Sequence, residues 1–81
     1  MSYLLYREAV AVVPSDSGAI TASALYVGGG VGGAGNIQVD VLNGHTAVLF
    51  MAVPVGTVLP VTVSRVYATN TTATNILALR V

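Results

Sequence analysis

The chain reads as all-β, a small antiparallel β-sandwich or barrel of jelly-roll-like character with about five to seven short strands. Three observations predict it. Apolar and polar residues alternate with a period of two, as in Ile37, Val39 against Gln38, Asp40 and in Leu59, Val61, Val63 against Thr62, Ser64. Turn-forming clusters punctuate the chain at short intervals. With 81 residues there is room for one small core only.

The elements follow in order. Residues 1–13 are read as an N-terminal arm and first strand, and 14–81 as a single β-domain; Val10 to Val13 favours extended backbone, although Tyr3 to Ala9 also satisfies a helical turn. Pro14-Ser15-Asp16-Ser17-Gly18 is turn chemistry. Residues 19–27 read as a strand apolar on both faces, ending at a glycine loop over 28–35. Asn43-Gly44 predicts a two-residue type I′ hairpin turn, which sets Val41 opposite Thr46, Val39 opposite Val48 and Ile37 opposite Phe50. The outward face then holds Gln38 and Asp40 but also Leu42, Ala47 and Leu49, less polar than a freely solvated face. After a turn at Val53-Pro54-Val55-Gly56, residues 57–67 form a strand. Its phase breaks at Arg65, which a bulge near Ser64-Arg65 corrects. Residues 68–75 are a polar loop, and 76–81 a last strand. The expected core is Ile37, Val39, Val48, Phe50, Leu59, Val61, Val63 and Ile76.

Composition limits how such a domain is stabilised. Hydrophobic residues make up 54% and charged residues 7%, against an ordinary charged share of about 25%. There is no cysteine to form a disulfide and one histidine, His45, too few ligands for a structural zinc. A core of this size contributes only about 3–5 kcal/mol and usually needs help, so oligomerisation is expected, with much of the surface serving as subunit interface. Three arginines, no lysine and zero net charge do not make a phosphate-binding face, so no nucleic-acid partner is expected. The uncharged stretches 17–39 and 41–64 are broken by glycine and proline, and no membrane partner is expected. No export signal is expected either, since Arg7 and Glu8 fall where its apolar run would lie.

Few residues carry chemistry. Gly28-x-Gly30-x-x-Gly33 formally matches a dinucleotide fingerprint, yet it leads into a strand instead of a helix and Asp40 follows too soon. No cofactor is implied. One histidine, two aspartates and one glutamate offer little for acid–base work. Asp40 and His45 lie diagonally close on the hairpin, but a surface histidine beside a turn is the simpler reading, and no catalytic or metal residues are assigned. A small hydrolase centred on His45 is the remotest alternative. Asn70-Thr71-Thr72 fits a glycosylation sequon and is read as a polar loop. Tyr3, Tyr6, Tyr26 and Tyr67 suit an interface, or a carbohydrate-binding or receptor-adhesion module in which tyrosine stacks on sugar.

The order of segments carries a resemblance: Val13-Pro14-Ser15-Asp16, Ala24-Leu25-Tyr26-Val27-Gly28, the Asn43-Gly44 hairpin, Val53-Pro54-Val55-Gly56-Thr57-Val58-Leu59-Pro60-Val61, Val63-Ser64-Arg65-Val66, and Ala68-Thr69-Asn70-Thr71-Thr72 leading to Ile76-Leu77-Ala78-Leu79. Over residues 10–80 it resembles the small spike-base family of tailed phages and gene transfer agents. The resemblance implies a non-enzymatic virion structural protein, a capsid decoration, cement or spike-base component on the capsid surface, assembled in the host cytoplasm. Its implied partners are copies of itself, as trimer or pentamer, and the major capsid protein or a spike or fibre protein. The glycine loop is longer than the family's turn. Expected interface residues are Tyr3, Leu4, Tyr6, Arg7, Tyr26, Val31, Tyr67 and Arg80, with the arm and the loops at 28–35 and 68–75 making subunit contacts; Arg7, Glu8 and Arg80 are candidates for inter-subunit ion pairs.

Overall fold

A computed structural model describes residues 6–81 of the chain. Seven strands form two antiparallel sheets: β1 (Glu8–Ala11), β2 (Ala24–Gly29), β3 (Ala34–Val41), β4 (Val48–Pro54), β5 (Val58–Leu59), β6 (Val63–Val66) and β7 (Thr74–Arg80). The first sheet has the order β1-β7-β2-β5 and the second β4-β3-β6. Among the described residues the only helical piece is a 3-10 turn at Val31–Gly33. The all-β expectation therefore holds.

The core lies between the sheets. Leu25, Val27, Ile37, Val39, Val63 and Val66 are fully enclosed, joined by Leu59 and Ile76. Alternation identified five of the eight expected core residues as buried. Val48, Phe50 and Val61 are instead half-buried, because β4 and the β5–β6 connection lie at the margin of the sandwich. Phe50 and Val61 still pack against the core from that margin.

The hairpin register is as expected at Val39↔Val48 and Ile37↔Phe50, but the turn differs. Gly44 N–H bonds to Val41 C=O at 3.1 Å and Val41 N–H to His45 C=O at 2.8 Å. Gly44 takes left-handed backbone at φ 95° while Asn43 does not. The connection is thus a three-residue loop, a type I turn closed by a glycine bulge, and not a type I′ turn. Val41 faces His45 instead of Thr46, which leaves one extra residue before β4.

That residue is Ala47, in left-handed backbone at φ 52°, and Ala52 repeats the device at φ 53° where the β3–β4 register shifts. Both bulged N–H groups find a side chain of β3: Ala47 donates to Asp40 Oδ1 and Ala52 to Asn36 Oδ1, each at 2.9 Å. Two bulges therefore bracket a regular run at residues 48–51. A third register shift, between Asp40 and Val41 opposite β6, leaves Ser64 unpaired with β3. It is the bulge that the phase break in the sequence requires.

Several element boundaries differ from expectation, beginning with the strand read over 19–27, which opens only at Ala24 because residues 20 and 22 bond to β6 in the other sheet. The strand at 57–67 is two strands, because Pro60 lacks the N–H a ladder needs and the chain turns there from the first sheet to the second. Gly28 and Gly29 belong to β2, and Gly35 to β3, so the glycine loop shrinks to residues 30–33. Close approach is the reason. A Cβ at Gly28 would come within 2.5 Å of the Asn75 carbonyl, and one at Gly35 within 2.6 Å of Ala73 Cα. Finally, β7 opens at Thr74, shortening the polar loop to residues 67–73.

Candidate subunit interface

The expected interface residues fall in four places. Tyr3 and Leu4 lie outside the described residues. Arg80, at the end of β7, donates from Nε to the Thr21 carbonyl at 2.7 Å and from Nη1 to Glu8 Oε1 at 3.1 Å. Its ion pair is thus made within the chain, across β1 and β7. Arg7 is exposed beside it, its N–H on the Arg80 carbonyl. Tyr6 and Tyr26 are half-buried. Val31 stands 95% exposed at the tip of the 3-10 turn.

Tyr67 anchors a polar cluster on the outer side of β3. Its hydroxyl donates to Asp40 Oδ1 at 2.7 Å, Arg65 Nη1 donates to Asp40 Oδ2 at 3.3 Å, and the Arg65 guanidinium sits 5.8 Å from the Tyr67 ring centre. With the Ala47 amide, three donors serve one carboxylate. They hold Asp40 below its ordinary pKa, the Tyr67 hydroxyl most of all, and the same bond raises Tyr67. His45 is exposed on the turn and is not among Asp40's partners.

The threonine-rich loop turns out to complete the second sheet. Past Val66, the β3 amides of Gln38 and Asn36 donate to Thr71 Oγ1 at 3.0 Å and Thr72 Oγ1 at 2.9 Å, so hydroxyls stand in for strand carbonyls. Asn70 Nδ2 donates to Gln38 Oε1 at 3.0 Å. Further along, Thr69 donates from its amide and hydroxyl to Asp16, holding that carboxyl below its usual value, the hydroxyl bond contributing most. Gln38 and Asp40, placed on the outer face of the hairpin, are consequently buried. Something was needed to cover that face, and the chain's own loop does so.

What stays uncovered is apolar. Leu42 is 59% exposed and Met51 69%, with Leu49, Val55 and Val58 at about two-fifths. They belong to β4, β5 and the turns that flank them. A cleft of about 400 Å³ opens at one end of this region, lined by Val41, Leu42, Asn43, Pro60, Val61 and Thr62. No charged residue occurs between Asp40 and Arg65. That 24-residue gap was the available signal, visible in the sequence as an apolar outer hairpin face. Such a patch, unguarded by charge, can bind by shape and apolar burial, and it offers no chemistry. Among the described residues no three His, Cys, Asp or Glu side chains gather to hold a metal.

No protein-family model matches the chain, and no curated protein matches it. Among solved structures the fold is similar to a chain of the "Capsid of native GTA particle computed with C5 symmetry", at a TM-score of 0.77 and 28% identity, covering 94% of this chain and 84% of that one.

Proposed function

We propose that this chain is a non-enzymatic structural subunit of a virus-like particle of the tailed-phage or gene-transfer-agent kind, self-associating on the capsid surface as a decoration or spike-base component. The observation that carries this reading is the likeness to a GTA capsid chain over 94% of the length at 28% identity. The open apolar side supports it independently, since a small domain without disulfide or metal needs a partner to cover such a surface. That capsid was computed with C5 symmetry, and of the two ring sizes considered, three and five, five identical copies is the one proposed. Partners are then a ring of identical chains, the capsid shell beneath, and a spike or fibre above. Carbohydrate binding draws less support, because Tyr67 is engaged by Asp40 and neither Tyr6 nor Tyr26 is freely exposed.

The test is saturable co-sedimentation of the purified chain with capsids assembled without it. Binding that plateaus at a fixed number of copies per capsid is the expected outcome. Absence of binding, with the chain captured instead by an immobilised glycan, would replace this reading with the adhesion module.

A further inference from the structure

We infer that neighbouring subunits join edge to edge, the free side of β4 in one copy taking β1 of the next copy as an added strand. This rests on the fivefold reading above and assigns its interface.

The sheets offer few edges. The outer side of β6 is already taken by the chain itself, through Ser15 N–H on the Val66 carbonyl, Ile20 N–H on the Ser64 carbonyl and the bridge Ala22↔Val63. β5 has two residues. Among the described residues, β1 and β4 are therefore the strands of useful length with a free side. They also match: β1 has four residues, and the straight part of β4 is residues 48–51, between the bulges at Ala47 and Ala52.

The bulges and Pro54 lie outside the 48–51 run, and within the two four-residue runs neither edge is defended. Soluble proteins protect such edges with charge, proline or distortion. The run 48–51 has no charge and no proline, and it exposes Leu49 and Met51. On β1, Glu8 is neutralised by Arg80, while Ala9, Val10 and Ala11 are all exposed. Two apolar strands without free charge are complementary in the sense that added-strand pairing requires: backbone bonds give affinity and small apolar side chains allow approach.

Symmetry selects the pairing. β4 against β4 is self-complementary and stops at two copies, whereas a ring of five needs two different surfaces on every copy. β1 ends the first sheet on the side away from β5, and β4 is tied to β5 by residues 55–57. The two edges thus lie on opposite flanks, as a head-to-tail ring demands.

The chain's lack of cysteine makes a direct test clean. Single cysteines are placed at each of positions 8–11 and, in separate variants, at each of 48–51. Folded β1 and β4 variants are mixed and oxidised, and disulfide-linked dimers are counted. Opposed residues on paired strands lie about 4.5–5.5 Å apart, within disulfide reach. The expected result is linkage only in the mixtures, and only for pairs of one register, such as a series containing Ala9→Cys with Leu49→Cys or its neighbour. Self-linkage of Leu49→Cys would overturn the inference in favour of a two-fold β4 contact. An oligomer by light scattering with no β1–β4 linkage overturns it and leaves the fivefold reading intact. A chain monomeric at every concentration removes both.

Discussion

The two flanks of the sandwich end in opposite states. On one, residues 12–22 cross between the sheets, with Val12 N–H on the Ile76 carbonyl and Ser15 and Ile20 bonded to the edge of β6. Val12 and Ile20 pack against the core there. On the other flank only the short connections 55–57 and 60–62 cross among the described residues, leaving the outer side of β4 bare, and Leu42, Leu49, Met51 and Val58 face out. On each flank the exposure of the sheet edge follows whether a segment of the chain covers it. The covered flank stabilises the subunit. The bare one is free to stabilise an assembly.

Substitutions can break or sharpen this contrast. The largest effect is expected from Leu25→Ala, which empties the core shared by both flanks; a loss of about 3 kcal/mol in urea-melt stability is predicted. A smaller loss would mean that the site collapses around the cavity. Gly35→Ala acts on the self-covered part alone, because its Cβ meets Ala73 where the threonine loop joins β3. Overpacking there is predicted to cost about 1–3 kcal/mol.

Acid should loosen the same region. The folded-state pKa values of Asp16 and Asp40 are depressed by the Thr69 and Tyr67 bonds. Their contribution is complete above the unfolded carboxylate pKa of about 3.9 and is lost as pH falls through the lower folded values. Thermal melts of the wild type should therefore fall more steeply below pH 4 than those of an Asp16→Asn, Asp40→Asn variant; equal slopes would show that these bonds do not set acid stability. Ala52→Gly, relieving left-handed backbone at φ 53°, is predicted to raise stability by about 0.5–1 kcal/mol, since the left-handed cost exceeds the entropy glycine adds to the unfolded chain. The smallest effect on the fold belongs to the bare flank, where Leu49→Lys with Met51→Lys should change subunit stability by no more than about 0.5 kcal/mol per site.

Much of the fold was legible because a period of two maps directly onto a sheet with one buried face. Ile37, Val39 and Val63 were placed in this way, and the phase break at Arg65 correctly required the Ser64 bulge. The turn type was not legible, since Asn43-Gly44 serves both the two-residue and the three-residue hairpin. The strand character of Gly28 and Gly29 depends on β7 lying close, a fact about residues 45 to 47 positions away. The same holds for Arg80, whose partners Glu8 and Thr21 lie at the far end of the chain, and for the threonine hydroxyls that complete β3. Local pattern cannot report distant hydrogen bonds. The apolar patch was legible as a charge-free outer hairpin face, whereas the bonds that tie Tyr67 and Arg80 within the chain were not, because their partners Asp40, Glu8 and Thr21 are distant in sequence.

The central claim is that copies meet through the bare flank of one and the open β1 edge of the next. Light scattering across a concentration series, comparing wild type with the Leu49→Lys, Met51→Lys variant, tests it most directly. The account predicts a closed oligomer for the wild type, a multiple of 8.2 kDa, and a folded monomer for the variant. A variant that keeps the wild-type mass would contradict it.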